Sequence, residues 1–208
     1  LDYLKKNYNF YNHNPSNNRS LISNSIQSLL EDKEGNLWIG TYSSGLDVFN
    51  PKTGNITHYA HNPSDPGSIS DNRIYALAED KMGNIWIGTY GGGLNKFDKS
   101  TGKFSRYQHI ENDESSISSD ATWSLGLDDE GNLWVGTFGA GVSVLNLKNQ
   151  MFTHFKNNPD DASTIADNNV IRIFKDSKGN VWVGTAKGLS KYSKENNSFK
   201  NCELCWNG

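Results

Sequence analysis

A chain of 208 residues can build one sizeable core, and its 23 acidic and 20 basic side chains leave a net charge of only -3. Those charges are interspersed, without the Lys/Arg excess or stripe expected of a DNA- or RNA-binding module. No stretch is long and apolar enough to span a membrane. The opening "LDYLKKNYNFYNH" lacks the apolar run of a signal peptide, so any export signal is expected outside this chain.

In chain order, residues 1–15 read as the last two strands of an incomplete unit. Four full units follow at approximately 16–63, 64–111, 112–159 and 160–206. They are marked by "GNLWIGT" from Gly35, "GNIWIGT" from Gly83, "GNLWVGT" from Gly131 and "GNVWVGT" from Gly179, a step of 48 residues each time. A fixed period of this size signals a repeat architecture. In the second unit the short runs "RIYALAED" from Arg73, "NIWIGTY" from Asn84, "GLNKFD" from Gly93 and "FSRYQH" from Phe104 are rich in aromatic and β-branched residues. Such runs predict strands. The turns between them have an Asp three residues ahead of a Gly, as in "DKEGN" at Asp32, "DKMGN" at Asp80, "DDEGN" at Asp128 and "DSKGN" at Asp176. Each unit is therefore expected to be an up-and-down sheet of four antiparallel strands.

The "LWIGT" strand is apolar on both faces, with Leu37 and Ile39 on one side, Trp38 on the other, and Gly40 expected to leave room beside the indole. A sheet buried on both sides has to be sandwiched, which radially stacked sheets achieve. The expected fold is all-β, a β-propeller with four full blades and a partial one, in which Trp38, Trp86, Trp134 and Trp182 serve as scaffold. An arc of this kind would expose two apolar blade faces, to be covered by further blades or by self-association.

The segments Asp32–Leu46, Asp80–Leu94, Asp128–Val142 and Asp176–Leu189 share a pattern, D-x-x-G-N-[LIV]-W-[IV]-G-T followed by a glycine and an aliphatic residue. It resembles the two-component regulator propeller repeat found in sensor regions of bacterial hybrid histidine kinases. The fourth copy, "GTAKGLSKY", is one residue shorter than "GTYGGGLNKF". The resemblance implies a seven-bladed ring, a periplasmic or extracellular location, and a sensing module for ligands, often oligosaccharides, in signal transduction. WD-repeat and kelch signatures do not recur at this period.

Positions that vary between units are candidates for function. The inner strand varies at Ser25/Arg73/Ala121/Asn169, Gln27/Tyr75/Trp123/Ile171 and Ser28/Ala76/Ser124/Arg172. The turn on the same face opens with Tyr42, Tyr90, Phe138 and Ala186. Rings stack on sugar faces and guanidinium groups pair with uronate or sulfate. The candidate ligand-binding residues are accordingly Arg73, Tyr75, Trp123, Arg172, Tyr42, Tyr90 and Phe138, at the channel mouth.

No catalytic constellation, cofactor or metal site is expected. His13, His61 and His109 share one repeat position and His58 and His154 another, away from the inner strands, so no base stands beside the channel. The Asp turns lack the alternating oxygen ligands of a calcium loop. Cys202 and Cys205, in "CELC", lack a second ligand pair and read as surface thiols near a frayed end. The chain thus reads as a non-enzymatic sensing or interaction module. The alternative is a carbohydrate-active or streptogramin-lyase-like propeller enzyme.

Overall fold

The computed structural model describes residues 10–202. Sixteen strands form four sheets, each a meander of four consecutive antiparallel strands. The first blade holds β1 (Ile26–Glu31), β2 (Leu37–Thr41), β3 (Leu46–Asn50) and β4 (Asn55–Tyr59). The second holds β5 (Ile74–Glu79), β6 (Ile85–Thr89), β7 (Leu94–Asp98) and β8 (Lys103–Tyr107). The third holds β9 (Thr122–Leu127), β10 (Asn132–Thr137), β11 (Val142–Asn146) and β12 (Met151–Phe155). The fourth holds β13 (Val170–Lys175), β14 (Val181–Thr185), β15 (Gly188–Ser193) and β16 (Ser198–Cys202). The inner strands β1, β5, β9 and β13 pack in series. The ring does not close among the described residues.

The partial blade predicted at residues 1–15 falls largely on residues 1–9, outside the described residues, as does Cys205. Residues 10–15 carry no strand, yet Tyr11 packs on Phe49 at 5.0 Å between ring centroids, as Tyr59 packs on Phe97 at 5.2 Å. The contact places Tyr11 where the preceding blade's last strand would end. Cys202 is a free thiol, partly buried and paired opposite Leu189 in β16.

One hydrogen bond recurs in every blade. The indole N–H groups of Trp38, Trp86, Trp134 and Trp182 donate to Asp32, Asp80, Asp128 and Asp176 at 2.9, 2.9, 2.8 and 2.9 Å. The other carboxylate oxygen accepts the backbone N–H of Asn36, Asn84, Asn132 or Asn180 and so closes the turn. A buried carboxylate is costly unless its lone pairs are filled, and here both oxygens are used. Burial alone would raise the Asp32 pKa, but the bonds from Trp38 and Asn36 and the nearby Lys99 ammonium outweigh it and hold the group at about 2.

Blades pack by pressing the tryptophan face of one onto the aliphatic face of the next. Trp38 meets Phe97 edge-on at 5.1 Å and Trp134 meets Tyr192 at 4.7 Å. The glycine after the tryptophan motif serves this contact, and not the indole as expected. A Cβ on Gly88 would lie 2.6 Å from the Thr122 methyl of the third blade, and one on Gly136 2.6 Å from Val170 of the fourth. Gly184 meets nothing closer than 3.6 Å, because no further blade packs on it among the described residues. The open ends show the same rule from the other side. Leu29 is 60 % exposed on the first blade whereas its repeat equivalent Ile173 is buried, and Phe174 is 61 % exposed on the fourth whereas Ala78 is buried.

The connections between blades are clasped by the histidines. Ring nitrogens of His13, His61 and His109 donate to the carbonyls of Leu21, Ile69 and Ile117, and Asn157 makes the same bond to Ile165 in the last connection. His58 contacts the Asp47 carboxylate with Nδ1 at 2.7 Å and the Asn18 carbonyl with Nε2 at 3.0 Å. Both partners accept, so satisfying both nitrogens requires the imidazolium. Burial lowers the His58 pKa, but the bonds to Asp47 and Asn18 more than offset this and raise it.

Four outcomes follow from these contacts. Asp80→Ala should cost about 1.5–3 kcal/mol in denaturant unfolding, the range for a hydrogen bond to a charged group. Asp32 titrates at about 2 when folded and near 3.9 when unfolded, so its contribution is present above about pH 4 and is lost as the pH falls toward 2. Gly88→Ala should destabilise by about 1–3 kcal/mol through overpacking, while Gly184→Ala should be nearly neutral. Equal losses at the two sites would contradict the interblade role. The raised His58 pKa stabilises the fold below about pH 6.5, and the contribution disappears as the pH rises through the folded value. Melting temperatures measured against pH should fall there in the parent and lose that slope in His58→Asn, which supplies the amide that Asn201 uses in the fourth blade.

Candidate functional site

The inner strands share an irregularity that the sequence pattern did not announce. Pairing with the second strand slips between Ile26 and Ser28, Ile74 and Ala76, Thr122 and Ser124, and Val170 and Arg172. The extra residue at each bulge is Gln27, Tyr75, Trp123 or Ile171, one of the sets singled out by its variation. A bulge breaks the alternation of side chains and re-aims the residue it carries. Beside it, the turn joining the second and third strands is clamped to the start of the inner strand. The N–H groups of Tyr42, Tyr90, Phe138 and Ala186 donate to the carbonyls of Ser25, Arg73, Ala121 and Asn169 at 2.9, 3.0, 2.9 and 3.0 Å.

These two devices bring five of the predicted aromatics into one continuous ledge across three blades. Tyr75 lies 6.2 Å from Tyr42, 5.5 Å from Tyr90 and 5.9 Å from Trp123, nearly parallel to the indole at 19°. Trp123 in turn stacks on Phe138 at 4.6 Å. Tyr42 and Phe138 remain 52 % and 44 % exposed, so the ledge offers ring faces to solvent at both ends. The Trp123 indole N–H is buried and has no hydrogen-bond partner among the described residues. Such a donor costs free energy until an acceptor reaches it.

Arg73 belongs to this ledge, with its guanidinium carbon 5.0 Å over the Tyr90 ring. The sequence reading missed its brace. Nε and Nη2 donate to the two oxygens of Asp71 at 2.9 and 2.7 Å, and this bonding raises the Arg73 pKa. For Asp71, burial raises the pKa, and the Arg73 bonds outweigh it and lower it. Gly91, at φ 121°, leaves the space: a Cβ there would lie 2.7 Å from Arg73 Nη2. The signals available in sequence were the D-x-R spacing and a third glycine in "GGG".

Arg172 stands apart from the ledge. Its repeat equivalents face the following blade: Ser28 donates to the Ile74 carbonyl, Ala76 is buried, and Ser124 accepts the Ile173 N–H. Arg172 therefore lies exposed on the uncovered face of the fourth blade. The one-residue shift at the bulge separates it from Ile171 and the mouth.

With this geometry in place, comparison with known proteins is direct. The family model for the two component regulator propeller matches residues 20–43, 68–91, 116–139 and 164–187, each running from the interblade connection through the inner strand and Asp turn to the ledge. The chain belongs to the two-component regulator propeller family. It is similar to the extracellular domain of a hybrid two-component system from B. thetaiotaomicron, with 28 % identity and a TM-score of 0.77 over 92 % of this chain and 25 % of that one. A second extracellular domain from B. thetaiotaomicron, of a one component system, gives 29 % identity and a TM-score of 0.66 over 82 % of this chain and 22 % of that one. This propeller thus spans about a quarter of the solved extracellular domains it matches. A virginiamycin B lyase from Staphylococcus aureus shares the fold at 16 % identity and a TM-score of 0.66, over 89 % of this chain and 58 % of the lyase. No curated protein matches the chain.

Proposed function

We propose that this propeller segment is the ligand-sensing part of an extracytoplasmic two-component sensor, on the periplasmic or outer side of the cell, and that it takes oligosaccharides bearing uronate or sulfate groups. The observation that carries this reading is the ledge of Tyr42, Tyr75, Tyr90, Trp123 and Phe138, with Tyr75 and Trp123 at the inner-strand bulges and the others in the adjoining turns. Sugar rings present apolar faces that stack on such rings. A sugar hydroxyl or ring oxygen would supply the acceptor that the Trp123 N–H lacks. Arg73 supplies charge, although its engagement with Asp71 leaves only part of its fork for an acidic group. The exposed Leu29 and Phe174 faces support completion of the ring by further blades or by self-association.

Binding without turnover is the proposed mode. The histidines are used in the interblade connections, and none contributes to the ledge. The test is calorimetric titration with uronate-bearing and sulfated oligosaccharides, run on material whose solution mass is fixed by light scattering. Trp123→Ala and Arg73→Ala should abolish binding, and exposed Tyr42→Ala should weaken it, with little change in melting temperature for Tyr42→Ala and Arg73→Ala. Arg172→Ala should bind as the parent does. Release of a cleaved product would defeat the sensor reading in favour of an enzyme, and binding that survives loss of Trp123 and Tyr42 would move the site elsewhere.

A further inference from the structure

The three interfaces between blades are built to one plan, and the middle one departs from it. Between the first and second blades the Lys99 ammonium reaches the Glu34 carboxylate at 2.9 Å, and between the third and fourth Lys194 reaches Glu130 at 2.6 Å. Between the second and third blades the same two repeat positions hold Met82 and Leu147. Two further positions change in the same direction. Leu127 stands where the other blades have Glu31, Glu79 and Lys175, and Leu145 replaces the ring that Phe97 and Tyr192 press on the preceding tryptophan. Met82 is 89 % exposed, an unusual placement for a side chain whose counterparts are charged.

The lost clasp and the smaller side chain leave a groove of about 810 Å³ along this interface, within the range of small-molecule sites. Met82, Trp86, Leu127 and Leu147 line it. Its carboxylates are engaged apart from Glu79 Oε1, which is buried with no hydrogen-bond partner among the described residues. Asp80 and Asp128 hold their tryptophans, Asp129 pairs with Lys175, and Glu130 pairs with Lys194. Glu79 accepts the Lys33 backbone N–H and has the Lys99 ammonium at 4.0 Å. Lys33 and Lys81 are held by backbone carbonyls. Lys96, whose ammonium sits 5.6 Å over the Trp86 ring, and Lys148 line the same groove. Neither makes a carboxylate pair among the described residues.

We infer that the groove between the second and third blades is a second binding site, for a small amphipathic anion with an aromatic or aliphatic body and a carboxylate or sulfonate end. The body lies on Met82, Leu127 and Leu147, and the anionic end meets Lys96 and Lys148. The groove opens on the face of the Asp turns, opposite the aromatic ledge, so the two sites stand or fall separately. A hydrophobic floor with a few convergent cations selects such ligands over sugars, which need stacking and many hydrogen bonds.

Anilinonaphthalene sulfonate and the neutral phenylnaphthylamine serve as probes in fluorescence titrations of the intact chain. The double substitution Met82→Glu with Leu147→Lys rebuilds the ion pair of the flanking interfaces, so it should fold and melt no lower than the parent while binding one sulfonate probe fewer per chain. Lys96→Gln with Lys148→Gln should weaken the sulfonate at this site about tenfold, the scale of two charge-assisted contacts at a partly exposed rim, and leave the neutral probe unchanged. Unchanged stoichiometry in the rebuilt variant would overturn the site, since probe bound on the open blade ends is untouched by either pair of substitutions. Equal weakening of both probes by the lysine variant would overturn the anion assignment.

Discussion

The structure depends on one hydrogen bond made four times, from a tryptophan indole to an aspartate six residues earlier that is buried in the first three blades. Its partners solve two problems together. The carboxylate closes the turn that sends the inner strand back along the second, and it fixes the rotamer of the largest side chain in the blade. A tryptophan held in one orientation gives each blade a face of defined shape, which the next blade can fit. Without the aspartate the indole N–H would be buried unpaired, and without the tryptophan the carboxylate would be buried with a lone pair unfilled. Each residue therefore makes the other tolerable.

From that fixed face the rest of the ring geometry follows. The tryptophan projects toward the next blade, and the glycine two residues later removes the side chain that would hold the backbones apart. Ile74, Thr122 and Val170 occupy the space so provided. Repetition of these contacts stacks the blades in series, with an aliphatic face at one end and a tryptophan face at the other. The first blade shows Leu29 where the following blades partly bury Leu77 and Leu125 and bury Ile173, and the last shows Phe174 and a partly covered Trp182. Each end repeats a surface that is buried elsewhere in the same molecule.

Much of this was legible in the sequence, for a physical reason: strand alternation, turn glycines and the period are local properties, and four copies reinforce one another. The aromatic ledge was legible as a set of varying positions, and Tyr42, Tyr75, Tyr90, Trp123 and Phe138 do pack together. What escaped the reading was non-local. Gly40 and its equivalents matter to a blade 48 residues away in the repeat, so a view confined to one strand assigns them to the indole beside them. Arg172 was grouped with the mouth as one of three varying positions near the start of the inner strand, and beside the bulge at Ile171 it lies on the interblade face instead. The Asp71 brace on Arg73 was a two-residue spacing whose meaning depends on the backbone turning at that point.

Repetition also changes how departures should be weighed. A position that serves the stack experiences the same surroundings in every blade, so the same residue type is favoured at each copy, as the four Asp–Trp pairs illustrate. Where adjacent blades differ in concert, the stack cannot be the reason. The second and third blades differ from the outer two in concert twice. On one face they carry Tyr75 and Trp123 at the bulges, flanked by Gln27 and Ile171, and on the opposite face they exchange an ion pair for Met82 and Leu147. The fold forces neither change, since the flanking blades stack without them. The central pair of blades is therefore where this chain departs from its own repeat, while the outer faces keep the repeat's surface.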